Sequence, residues 1–241
     1  METFTVKAFG TSAVDQDLNQ MEIKRRVTTA TDIEIEILYC GVCHSDLHTA
    51  RNDWGFTTYP AIPGHEIVGK VTKIGNEVTK LKVGDVAAVG CLVGSCGTCD
   101  SCKQDLEQYC ANGWVGTYNS PDKHLGGMTY GGYSQKVVVD QHFVLKVPSN
   151  LDLAATAPLL CAGITTWSPL RHWNVTKGTK VAVVGLGGLG HMAIKLAKGL
   201  GADVTLFSRS PGKEKDAKDL GADAVIISTD ENQMNTVVGK F

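Results

Sequence analysis

The sequence lacks a long hydrophobic run. No segment approaches the roughly 18 uninterrupted apolar residues that a membrane-spanning helix needs, and the most apolar stretch, Val181 to Leu189, is broken by glycine and ends before His191. It also lacks an excess of either charge, because 23 Lys and Arg face 25 Asp and Glu for a formal net charge of -2. That excludes the basic footprint by which proteins hold nucleic acid or anionic lipid, so neither a nucleic-acid nor a membrane partner is expected. The charged-then-apolar start of a secretory signal is missing too, since the chain opens Met1-Glu2-Thr3-Phe4-Thr5-Val6-Lys7. The expected compartment is therefore cytoplasmic. There is no internal repeat and no low-complexity tract.

What is present suits an ordinary folded protein. With 241 residues, 43% hydrophobic and 20% charged, the chain has room for one or two domains and a sizeable core. Its 8 cysteines, at 40, 43, 91, 96, 99, 102, 110 and 161, are clustered. In a reducing compartment clustered cysteines more often bind metal than pair with each other.

The patterning changes near residue 150. Before it, short alternating segments such as Ile33 to Ile37, Ile67 to Val71 and Val86 to Val89 are separated by Gly, Pro and Asp turns, which predicts a mostly β domain over residues 1–150. From Asp152 the period becomes that of helices alternating with strands. An apolar helical run from Ala154 to Leu160 precedes strand Val181 to Val184, a helix from Met192 to Leu200, strand Val204 to Phe207, a charged helix from Lys213 to Leu220 and strand Ala224 to Ile227. This predicts an α/β domain over residues 151–241 with a parallel, doubly wound sheet. A complete dinucleotide-binding sheet has six strands and only three can be placed before Phe241, so a fragment or truncated form is expected, with an unpaired edge after the third strand.

Three groups of residues carry chemistry. Cys96-x-x-Cys99-x-x-Cys102 with Cys110 nearby, in a Gly-rich polar stretch, suits a tetrahedral structural zinc with no open coordination position. A redox-active cysteine pair or a disulfide lattice is the alternative reading. A second set is scattered: Cys43, His44, Ser45, Asp46 and His48 in one stretch, His65-Glu66 in another, then Cys161. Two Cys and one His would leave zinc one place for water or a substrate oxygen, but spacing alone leaves a purely structural role open. The third group is Gly185-Leu186-Gly187-Gly188-Leu189-Gly190, directly after a strand and before an amphipathic helix. Glycines there permit a tight turn and let backbone amides approach a pyrophosphate at the helix N-terminus. Where an NAD site would carry an acidic residue for the ribose, the chain has Ser208-Arg209-Ser210 and then Lys213, which favours a 2'-phosphate and hence NADP over NAD, solvated surface charge being the bland alternative.

With these groups in this order, the chain resembles the zinc-dependent medium-chain alcohol dehydrogenases, most closely the NADP-dependent cinnamyl alcohol dehydrogenase branch. The resemblance is carried by Cys40 to His48, Pro63 to Gly69, the four-cysteine lobe, Pro158 to Thr165 and the glycine turn, and it covers essentially the whole chain. It implies a GroES-like catalytic domain followed by a truncated Rossmann domain. It also implies Cys43, His65 and Cys161 as catalytic zinc ligands, with Glu66 and Asp46 as exchanging or neighbouring groups, and a second zinc at Cys96, Cys99, Cys102 and Cys110. Ser45 is implied as the hydroxyl between substrate and cofactor, and His48 as the proton-passing base. His44 and Thr165 are implied as cofactor contacts, alongside Gly185, Gly187, Gly188, Leu189, Gly190, Ser208, Arg209, Ser210 and Lys213.

The function implied is hydride transfer between NADP(H) and primary alcohols or aldehydes, aromatic or aliphatic. The competing expectations are a zinc-holding fragment without catalysis and a thiol-disulfide protein using Cys96 and Cys99. Trp54, Phe56 and Tyr59, between the first ligand stretches, line a substrate pocket or belong to the core. Relatives of this kind run about a hundred residues further and often dimerise through a strand in that missing part.

Overall fold

The computed structural model describes residues 1–241 and divides into two compact units, Met1–Cys161 and Ala162–Phe241. The boundary falls later than the change of patterning near residue 150. Residues after 150 stay with the first unit because Ala157 and Leu160 are buried against Val68, Ala88 and Val147. No single helix is long and apolar enough to cross a membrane.

In the first unit, β1 (Thr3–Gly10) and β2 (Asn19–Arg26) form an antiparallel hairpin, with Val6 paired to Ile23. Then follow β3 (Asp32–Cys40), α1 (His44–Ala50), β4 (Ile67–Ile74), β5 (Val86–Val89), β6 (Leu92–Gly94), β7 (Val115–Gly116), β8 (Lys136–Asp140), β9 (Val144–Lys146) and α2 (Leu153–Thr156). Five of these strands make an antiparallel sheet in the order β8-β3-β4-β5-β9. Period-two alternation sends Ile33, Ile35, Ile67, Val71, Val89, Val137 and Val139 into one core. Each such side chain contributes about 1.5–3 kcal/mol by leaving water.

The sequence places the strands at 33–37, 67–71 and 86–89 correctly but underestimates the first two. The β1–β2 hairpin and α1 are not anticipated. Two register shifts in the β3–β4 ladder, one at Glu34/Ile35 near the start of β3 and one at Ile37/Tyr39 near its end, mark bulges before the chain passes into α1.

The second unit begins with α3 (Ala162–His172), which the sequence reading misses. It continues through β10 (Lys180–Val184), α4 (Gly188–Gly199), β11 (Asp203–Ser208), α5 (Glu214–Asp219), β12 (Ala224–Ile227) and α6 (Glu231–Asn235). The strands are parallel, in the order β10-β11-β12. Val183, Ile194, Ala197, Val204, Leu206 and Ala217 fill the core between sheet and helices. Three parallel strands separated by helices are the half sheet that the sequence predicts.

Candidate metal centres and nucleotide cradle

Helix α1 starts where Cys43 adopts an extended conformation and Asp46, in its first turn, reaches back to accept from the Cys43 amide at 2.8 Å. That bond fixes Cys43 at the mouth of the helix. The Gly64 amide donates to the other Asp46 oxygen at 2.9 Å, which brings the segment carrying His65 and Glu66 alongside. Gly64 has a φ of +100°, and a Cβ there would lie 2.8 Å from both Cys40 Sγ and Tyr133 Cδ1, so only glycine fits.

Ligand atoms of Cys43, His65, Glu66 and Cys161 converge within 4.8 Å of one another, all inside the first unit. The Cys43 and Cys161 sulfurs are 3.8 Å apart. His65 is 8% and Glu66 3% exposed, yet His65 Nε2 and Glu66 Oε2 have no hydrogen-bond partner. A buried polar atom without a partner costs about 1–3 kcal/mol, and here two of them face two thiols. Burial works to lower His65, but the Cys161 and Cys43 thiols and Asp46 raise it to about 9. The neighbouring Cys91 thiol, with burial adding to it, pushes Cys161 up to about 12 even though His65 works to lower it. Two thiols, an imidazole and a carboxylate that converge in a buried pocket, with two polar atoms left unpartnered, fit a divalent cation.

Tyr118 stacks on the His65 ring with centroids 5.3 Å apart, and the Tyr133 hydroxyl donates to Asp46 Oδ2 at 3.0 Å. Neither tyrosine is flagged by a sequence motif. Ser45 Oγ lies 3.5 Å from Cys43 Sγ. His48, on the same helix, has its Nδ1 2.8 Å from Asp53 Oδ2 and its ring 4.6 Å from that of His44. Asp53 is a further residue that sequence reasoning does not find. Trp54 and Phe56 stack at 5.7 Å and are 48% and 62% exposed, so they are not core. The Tyr59 hydroxyl is spent on the Ala50 carbonyl at the end of α1.

The second metal set is local. Cys96, Cys99, Cys102 and Cys110 place their sulfurs within 4.8 Å of one another. Backbone amides point at these sulfurs, from Thr98 and Cys99 onto Cys96 Sγ and from Ala111 onto Cys99 Sγ. The Thr98 and Cys99 amides bring the Cys96 thiol down to about 5. Amides arranged to stabilise thiolate favour a metal ligand.

In the second unit, Gly185 turns the chain at a φ of +87° and hands it to α4. A Cβ on Gly190 would collide with the Gly185 carbonyl, so the turn closes only with glycine there. A Cβ on Gly187 or Gly188 would meet nothing within 4 Å. The start of α4 is therefore an open cradle of unpaired amides, suited to phosphate. Ser208, at the end of β11, is 4% exposed and accepts from the Ser210 amide at 3.1 Å. Arg209 and Ser210 are exposed, and Lys213 Nζ donates to the Leu186 carbonyl of the glycine turn at 2.9 Å. Thr165 on α3 shares a cavity of about 550 Å³ with Val181, Val183, Leu189 and Gly190.

Residues 29–149 match the alcohol dehydrogenase GroES-like domain, and residues 188–241 match the zinc-binding dehydrogenase family. An NADP-dependent alcohol dehydrogenase of Mycolicibacterium smegmatis is 52% identical over 98% of this chain and 68% of that protein. A cinnamyl alcohol dehydrogenase from Sorghum bicolor superposes with a TM-score of 0.94 at 45% identity, covering 97% of this chain and 67% of that one. The crystal structure of CAD from Helicobacter pylori complexed with NADP(H) gives a TM-score of 0.90 at 44% identity, covering 94% of this chain and 65% of that one. The chain spans about two thirds of the length of these proteins.

Proposed function

The chain belongs to the zinc-binding alcohol dehydrogenase family, and from that premise we propose that it is an NADP-dependent oxidoreductase interconverting primary alcohols and aldehydes. The observation that carries this reading is the convergence of Cys43, His65 and Cys161, with Glu66 beside them, around two buried polar atoms that lack partners. Two Cys and one His are the ligands by which alcohol dehydrogenases as a class hold catalytic zinc, and Glu66, beside them, would be an exchanging ligand.

A zinc ion held there supplies a Lewis acid for the substrate oxygen, and NADP(H) supplies or accepts the hydride. The residues of the chain do the rest. Ser45, next to Cys43 at the start of α1, holds the proton that the substrate oxygen gains or loses. His48 passes it on to solvent: with Nδ1 bound to Asp53, its Nε2 is left free for exchange. The Gly187 and Gly188 amides take the pyrophosphate. Ser208, Arg209, Ser210 and Lys213 take the 2'-phosphate, the two cations suiting a dianion. His44, in the first turn of α1, and Thr165, on α3, keep the cofactor roles that the resemblance implies.

The four-cysteine set holds a second, structural zinc, because four thiolates leave no position open. Stacked and exposed, Trp54 and Phe56 offer an aromatic surface, which supports aromatic aldehydes as substrates. Clustered thiols stay ligand-competent only when reduced, which supports a cytoplasmic location.

The test is oxidation of NADPH, with NADH as control, by zinc-replete protein offered a simple aromatic aldehyde. Consumption of NADPH alone supports the enzyme and its cofactor preference together. A protein that holds two zinc ions but shows no saturable NADPH binding in a fluorescence titration is instead a non-catalytic zinc-binding chain.

A further inference from the structure

The loop from Tyr130 to Ser134 carries no metal ligand, yet its backbone is bonded to the segment that leads into His65. Gly131 N donates to Ile62 O at 2.7 Å, Gly132 N to Gly64 O at 2.7 Å and Tyr133 N to Pro63 O at 3.0 Å. From this ladder the Tyr133 hydroxyl reaches Asp46 Oδ2 at 3.0 Å. Asp46 is 3% exposed and is not among the converging ligand atoms. Its carboxylate accepts from the amides of Cys43 and Gly64 at 2.8 and 2.9 Å, so it ties together the backbone at one ligand and beside another. Tyr133 supplies a further donor to that same carboxylate.

The loop is itself held from behind. Arg25 on β2 is 9% exposed and donates to the carbonyls of Tyr130, Gly131 and Lys136 at 2.7, 2.8 and 2.9 Å, and to Ser134 Oγ at 2.8 Å. The planar guanidinium fork fits this set of acceptors and no flexible ammonium would. The close approach of Tyr133 to Gly64 leaves its ring little freedom to swing away.

We propose that Tyr133 is a positioning residue for the metal centre: its phenol orients Asp46 so that Cys43 and His65 are presented together, and Arg25 fixes the loop that carries it. The inference rests on the reading that Cys43, His65 and Cys161 hold zinc. Hydrogen bonds behind a ligand shell orient the ligands, and losing one costs about 10–100-fold in metal affinity. One hydrogen bond among the many that hold the fold changes its global stability little. The metal centre and the global stability therefore respond differently to the same change.

The experiment is the release of zinc from the full chain to a colorimetric chelator under reducing conditions. Wild type is compared with Tyr133→Phe and with Tyr39→Phe, a control phenol that is 46% exposed. Cys161→Ser identifies the release phase that belongs to the Cys43, His65 and Cys161 site. Tyr133→Phe is expected to speed that phase about 10–100-fold, to leave the four-cysteine phase unchanged and to melt close to wild type. An unchanged phase, or equal acceleration of both phases, overturns the inference while leaving the dehydrogenase reading in place. Wild-type protein that holds zinc only at the four cysteines overturns that reading, and the inference with it.

Discussion

Nδ1 of His48 lies 2.8 Å from Oδ2 of Asp53, a contact between the last turn of α1 and the loop that follows it. The two side chains are 35% and 44% exposed, a setting in which such contacts add about 0–1 kcal/mol to stability. For the proposed proton relay its value is orientation, since a carboxylate on Nδ1 leaves Nε2 free.

Replacing His48 by Gln is expected to lower aldehyde reduction about 100-fold, the usual contribution of a positioned acid–base group. Asp53→Asn should cost less, because the ring remains. Neither change should shift the melting temperature by more than about 4 °C, which calorimetry reads directly.

The two metal sets separate by mutation. Cys161→Ser is expected to leave one zinc per chain and abolish turnover with little change in stability, whereas Cys99→Ser should lose the other zinc and loosen the lobe from Cys96 to Cys110. Metal analysis beside thermal melts distinguishes the two. If both variants lose the same zinc, the division is wrong.

Arg209→Asp tests the ribose end of the cofactor. The loss of a charge-assisted contact predicts NADPH binding about 10–100-fold weaker, with NADH nearly unchanged. Equal loss for both cofactors in a fluorescence titration would remove Arg209 from the phosphate site.

Acid should weaken the first unit through Asp32. Burial acts to raise this carboxyl, but bonds from Arg26 at 2.8 and 3.0 Å and from Thr29 hold it below the usual carboxylate range. A depressed folded-state pKa contributes stability above the unfolded value, about 3.9, and loses it as pH falls through the folded value. Asp32→Asn is therefore expected to cost about 3 kcal/mol at pH 7, as for other broken buried pairs. Urea unfolding at pH 7 and near pH 3 should show the gap between variant and wild type narrowing at the lower pH. A gap independent of pH would show that the charge on Asp32 is not what stabilises the fold.

The parts of this molecule that were legible in its sequence are local ones. The glycine turn after β10 and the lobe from Cys96 to Cys110 each fit within a short stretch, so spacing alone makes them candidates. The set of Cys43, His65 and Cys161 is assembled by tertiary folding and stood out only through the resemblance. Asp53, Tyr118, Tyr133 and Arg25 gave no signal, because each acts on a neighbour reached through a turn or across the fold. The β1–β2 hairpin carries no clear turn signal in the sequence, although β1 alternates buried and exposed residues over its second half. Pro169 sits inside α3 and masks that helix, because proline reads as a helix breaker.

The two metal sets also differ in the length of chain that each must close. Cys96 and Cys110 are 14 residues apart, while Cys43 and Cys161 are separated by 118. Closing the longer loop costs more entropy and cannot precede synthesis of its last ligand. On the ribosome, the proposed four-cysteine zinc site is complete as soon as residue 110 has emerged. The other centre waits for residue 161, by which time the sheet that frames it has been made.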